Sequence, residues 1–83
     1  MNEDIFRRIV KCIRASSESI SDDAAVTPDT ILSEDLEMNS LDKVRLQVEL
    51  EQEFAFNFDP LDDFEAIFQT AGSLYNYIVS KEN

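Results

Sequence analysis

Apolar residues return at Ile5, Phe6, Ile9, Val10 and Ile13, the i, i+4, i+8 spacing of a helix with one buried face, while Arg7, Arg8, Lys11 and Arg14 fall mostly opposite. The spacing predicts a first helix over residues 3–16. Ser16-Ser17-Glu18-Ser19 ends it, and Asp22-Asp23, Thr27-Pro28-Asp29 and Ser33-Glu34-Asp35 supply turn chemistry along a long connection. Ile20, Val26, Ile31, Leu32 and Leu36 are expected to pin that connection onto the core, and an anchored loop of this length reads as functional. Asn39, with Asp42 three residues on, reads as the cap of a second helix that runs through Phe54 without Gly or Pro.

At about 100° per residue, this second helix carries two apolar stripes. Leu46, Leu50 and Phe54 form one, and Leu41, Val44 and Val48 form another roughly opposite. One helix of an 83-residue chain cannot bury both. The stripe with Phe54 is assigned to the core, which leaves Leu41, Val44 and Val48 as an exposed strip beside Asp42, Glu49 and Glu51. An apolar strip with an acidic rim reads as a partner site, the alternative being that the long connection packs over it. Pro60 is placed at the first position of a short third helix reaching Ile67. Thr70 then caps a last helix to Ser80, with Leu74, Tyr77 and Ile78 inward and Gly72 a weak point of about 1 kcal/mol. No strand alternation or internal repeat is evident. The expected fold is all-α, a small four-helix bundle of three longer helices and one short one, with a long loop between the first and second, residues 1–83 forming a single domain.

Charge narrows the function classes. Seven Lys and Arg against 18 Asp and Glu give a net charge of −11, which repels nucleic-acid backbones, so no nucleic-acid partner is expected. The charge is uneven: residues 1–14 carry a local +2, whereas residues 18–65 hold fifteen acids against only Lys43 and Arg45. An apolar content of 43%, with six Phe and two Tyr, is too high for a disordered acidic tail. No apolar stretch approaches the roughly 20 residues of a membrane span, and Met1-Asn2-Glu3-Asp4 lacks the layout of a secretory signal, so a soluble, cytoplasmic chain is expected. One cysteine and no histidine exclude a disulfide framework, a thiolate-imidazole zinc site and any imidazole triad, and one glycine cannot build a phosphate loop. Cys12 reads as a half-buried helix residue. Asp59, Asp62, Asp63 and Glu65 read as a solvated acidic face, with no metal site expected.

Ser40 opens the second helix with its hydroxyl free to point outward. Taken alone, such a serine is a cap or turn residue, and no general base stands by to activate it. In context, Glu34-Asp35-Leu36-Glu37-Met38-Asn39-Ser40-Leu41-Asp42, followed by Val44, Leu46 and Leu50-Glu51-Gln52-Glu53-Phe54, resembles the acyl carrier proteins around their modified serine. Val26-Thr27 and Leu32 before it and Tyr77-Ile78 after it extend the likeness over residues 5 to 79. The resemblance implies that Ser40 carries 4′-phosphopantetheine, installed by a separate phosphopantetheinyl transferase using coenzyme A. It implies a carrier, not an enzyme, because the reactive thiol belongs to the arm. Such a carrier holds acyl intermediates as thioesters and delivers them to acyl-transfer, synthase or ligase enzymes in fatty-acid, lipid or polyketide-type biosynthesis. By the same resemblance Leu41, Val44 and Val48 are apolar partner contacts, Asp42 and Glu51 face basic docking patches, and an acyl cavity is bounded by Leu46, Leu50 and Ile67. A monomer is expected.

Four positions depart from the family pattern: Asn39 where Asp is common, Glu37 where Gly is frequent, Arg45 where an acid is usual and Gln47 where an apolar residue is usual. They suggest a specialised carrier. Two other classes stay open at this point. One is a non-covalent acidic helical adaptor or inhibitor that binds a basic partner without any arm on Ser40; the other is an acidic nucleic-acid mimic.

Overall fold

The computed structural model describes residues 2–17, 20 and 25–82. The predicted turn residues Glu18, Ser19, Asp22 and Asp23 lie outside them. Among the described residues five helices follow one another: α1 (Glu3–Ser16), α2 (Leu32–Asp35), α3 (Ser40–Phe54), α4 (Phe64–Ile67) and α5 (Ala71–Glu82). The only pairing of extended backbone among the described residues is an isolated bridge between Ile31 and Thr70. The all-α expectation holds, with the one-turn α2 added inside the long connection.

Helix α1 begins where the Asn2 side chain accepts from the Ile5 N–H at 3.2 Å, with Glu3 and Asp4 in its first turn and Arg14 in its last, the charge order that suits the helix dipole. It packs on α3 and α5, and Ile9, Cys12, Ile13, Leu46, Leu50, Phe54, Leu74 and Ile78 close the core between them. The α1–α3 seam is sealed at its edge. Arg8 donates to the Glu53 carboxylate at 2.8 Å and lies over the Phe54 ring at 4.3 Å, and Lys11 adds a second contact to Glu53 at 3.4 Å. The hydrogen bond from Arg8 holds the Glu53 carboxyl below its usual range. Cys12 is more enclosed than the sequence suggested. Its Sγ points to the Glu49 carbonyl at 3.7 Å, and burial, reinforced by Glu53 and Glu49, pushes the thiol up to about 11.

The long connection is pinned as expected. Leu32 and Leu36 are buried, Ile20 and Val26 pack against the core, and the Leu32 and Ala71 N–H groups bond the Gln69 and Thr30 carbonyls at 3.0 and 3.1 Å. Gly72 has a positive reason to be glycine. Its N–H bonds the Pro28 carbonyl at 2.9 Å, and a Cβ placed there would stand 2.8 Å from the same oxygen. Helix propensity favours alanine by about 1 kcal/mol, whereas overpacking against fixed backbone costs about 1–3 kcal/mol. Gly72→Ala is therefore expected to lower the unfolding free energy by about 1 kcal/mol, read from the urea midpoint; a rise would show that the Pro28 loop yields freely.

Pro60 does not start a helix. Asp59-Pro60-Leu61-Asp62 is a turn in which the Asp59 side chain accepts from Leu61 N–H at 2.9 Å and its carbonyl from Asp62 N–H at 3.0 Å. The turn closes at Asp62, whose carboxylate is taken by the Tyr77 hydroxyl of α5, and α4 starts only at Phe64, capped by Asp63 through the Ala66 N–H at 3.2 Å. Phe56, Phe58, Phe64, Phe68 and Tyr77 stack around this segment, with the Phe64 and Phe68 rings 4.2 Å apart and Phe68 wholly buried. Tyr77 OH donates to Asp62 at 2.6 Å and accepts from Asp59 N–H at 3.2 Å, which fixes the turn to α5.

Candidate functional site

Helix α3 opens as the sequence predicts, with a closed capping box. The Asn39 side chain accepts from Asp42 N–H at 2.8 Å and the Asp42 carboxylate accepts from Asn39 N–H at 3.3 Å. Asparagine thus serves the cap as well as the aspartate it replaces in the resemblance. Two residues before it, Glu37 holds φ at 55°, a left-handed conformation in which glycine is favoured. Ala55 closes the other end of α3 at φ 53°, its N–H bonded to the Glu51 carbonyl.

Ser40 is the first residue inside α3 and is exposed. The capping box occupies the N–H groups of Asn39 and Asp42 and leaves those of Ser40 and Leu41 without an acceptor. Its hydroxyl also has no partner. Among the described serines, Ser16, Ser73 and Ser80 donate to the carbonyls of Ile13, Ile67 and Tyr77 at 2.7, 2.7 and 2.6 Å, and Ser17 is buried. Only Ser33 and Ser40 combine exposure with an uncommitted hydroxyl, and Ser33 sits on the one-turn α2. A phosphodiester on Ser40 Oγ would lie at the N-terminus of a 15-residue helix beside free N–H groups, an arrangement worth typically 0.3–1 kcal/mol. The residues present fit a phosphopantetheine arm.

Running away from Ser40 along α3, Leu41, Val44 and Val48 are 58%, 50% and 46% exposed, while Leu46, Leu50 and Phe54 are buried. The division of the two stripes is as predicted, and the described part of the long connection does not cover the outer one. Val48 ends the strip at a cleft of about 370 Å³ that also touches Glu51, Gln52 and Phe56. Glu51 has a role the sequence did not reveal: its carboxylate accepts from Phe58 N–H at 2.9 Å and ties the following loop to the helix. Lys43, one turn from Ser40, faces a second cleft of about 530 Å³ with Ser33, Asp63, Glu65 and Gln69. Of the three cavity positions, Leu46 and Leu50 have no exposed surface and Ile67 is half-buried against the same core.

The acids of the α3–α4 segment are used internally. Asp59 bonds Leu61 N–H, Asp62 takes Tyr77 OH with Lys81 at 3.9 Å, and Asp63 caps α4. No helix of the described residues is long and apolar enough to cross a membrane. Comparison with known families matches residues 7–78 to the family described as the phosphopantetheine attachment site. That span takes in most of α1, Ser40 with all of α3, and most of α5.

Proposed function

The chain belongs to the phosphopantetheine attachment site family, and from that membership we propose that Ser40 is the residue to which the arm is joined and that Leu41, Asp42, Val44, Val48 and Glu51 form the face read by partner enzymes. Domains of this family are carriers without catalysis of their own, holding acyl groups as thioesters on 4′-phosphopantetheine. The observation that carries the assignment of Ser40 is its exposed, unbonded hydroxyl at the start of α3.

The bound arm supplies the thiol that carries the acyl group, and the chain's own residues do the rest. The free N–H groups of Ser40 and Leu41 favour the phosphodiester at its anchor, and the capping box keeps Ser40 at a fixed place on a rigid helix. The exposed strip lets a partner hold the domain weakly while the tether gives its cargo an effective concentration of roughly millimolar at the partner's active site. Family membership gives a phosphopantetheinyl transferase and acyl-transfer enzymes as partners. The finer reading is of basic docking patches on synthase or ligase partners, a cytoplasmic monomer, and one domain over residues 1–83. A cargo entering beside Leu46, Leu50 and Ile67 would have to part side chains that close the core.

The test is incubation with coenzyme A, Mg²⁺ and a broad-specificity phosphopantetheinyl transferase, followed by intact-mass analysis. A gain of one arm is expected; no gain with several transferases, while a basic partner still binds, would favour a non-covalent adaptor. For the docking face, Val44→Arg is expected to raise the transferase KM about tenfold with the helical circular dichroism unchanged, since Val44 is half exposed in the middle of the strip. Loss of folding in that variant would place Val44 in the core.

A further inference from the structure

Lys43 and Arg45 are the only cations in residues 18–65, and both stand in the first turns of α3 on either side of Val44. Arg7, Arg8, Lys11 and Lys81 pair with carboxylates at 3.9, 2.8, 3.4 and 3.9 Å. Among the described residues neither Lys43 nor Arg45 does. Asp42 precedes Arg45 by three residues and Glu49 follows by four, spacings at which helical ion pairs form, yet among the described residues no carboxylate is in ion-pair contact with its guanidinium. The Asp42 carboxylate is held in the capping box instead.

Arg45 is exposed and stands about 40° around α3 from Leu41, on the rim of the apolar strip. Lys43 points elsewhere, into the cleft with Asp63 and Glu65. The rim is therefore of mixed sign: the unpaired cation of Arg45 flanks Leu41 and Val44 beside the Asp42 carboxylate, which is held in the capping box, and the carboxylates of Glu49 and Glu51 flank Val48. We propose that Arg45 is a specificity-determining residue of this surface, selecting a partner enzyme whose docking face sets a carboxylate opposite Arg45 and cations opposite Glu49 and Glu51. A uniformly basic face is disfavoured, because it brings like charges together at Arg45. A face with the matching carboxylate gains a forked, charge-assisted pair and a fixed direction along α3. The inference rests on the strip being the docking face of a carrier loaded at Ser40.

Arm transfer by a broad-specificity transferase with a basic docking face provides the probe, using wild type, Arg45→Ala and Arg45→Glu at low and high salt. The KM is expected to fall about threefold for Arg45→Ala and about tenfold for Arg45→Glu, with kcat unchanged and the differences vanishing near 0.5 M salt, where screening is within a few ångström. Lys43→Glu, facing the cleft, is expected to move KM less than Arg45→Glu. Placing a glutamate on the transferase opposite Arg45 should then favour wild type over Arg45→Glu, the reverse order. Equal KM values across the three proteins, or differences indifferent to salt, would overturn the proposal while leaving the carrier reading intact. Failure of every protein to gain the arm would overturn the carrier reading itself.

Discussion

Ser40→Ala is expected to abolish attachment of the arm, leaving the chain at its unmodified mass under conditions that load the wild type fully. The hydroxyl oxygen is the atom that forms the phosphodiester, so its removal leaves nothing to be transferred to. No other described serine offers a substitute in the same place. Ser16, Ser73 and Ser80 commit their hydroxyls to backbone carbonyls, Ser17 is buried, and Ser33 lies on another helix. The variant should fold normally. Ser40 is exposed, its side chain makes no bond, and the cap belongs to Asn39 and Asp42, so the stability change is expected within about 0.5 kcal/mol. Ser33→Ala should load as the wild type does. A mass time course on the two variants checks both statements, and loading of Ser40→Ala at the wild-type rate would refute the assignment of the site.

The largest effect on stability is expected at Phe68. Its side chain is wholly buried, the Phe64 ring stacks on it at 4.2 Å, and the Phe58 ring lies 5.3 Å away. It joins the C-terminal end of α4 to the core against which α5 packs. Truncation of a buried phenylalanine costs about 3–5 kcal/mol, while a core in a domain of this size contributes about 3–5 kcal/mol net. Phe68→Ala should therefore be largely unfolded, with helical circular dichroism lost well below the wild-type urea midpoint. Phe64→Ala, whose ring is only partly buried, should cost less than half as much. A Phe68→Ala protein destabilised by under about 1 kcal/mol would mean that the aromatic cluster is not part of the core.

What could be read in advance follows from the range of the signals. Helices α1 and α3 span 14 and 15 residues, several turns each, so their periodicity fixes both element and face. The exposed strip was legible for the same reason, since two stripes on one helix compete for one core. The one-turn α2 has no period to detect, and the late start of α4 goes with the tertiary bonds of Asp59 N–H and the Asp62 carboxylate to the Tyr77 hydroxyl, which tie the turn to α5. Phe68 lay beyond the predicted end of its helix, so no stripe announced it. Gly72 looked like a propensity defect because only the folded chain brings Pro28 against it. At the site, the cap and Ser40 were readable from local spacing and the resemblance. The bond from Phe58 N–H to Glu51 and the unpaired state of Arg45 arise from tertiary packing and side-chain competition, which no short window of sequence records.

Ser40 is expected to bear the arm in the living cell. Protein purified from the cells that make it, digested and fragmented in a mass spectrometer, tests this directly. A phosphopantetheine adduct is expected on the peptide containing Asn39-Ser40-Leu41, on Ser40 itself. An adduct on any other residue, or a chain that is bare in every growth condition, would contradict it.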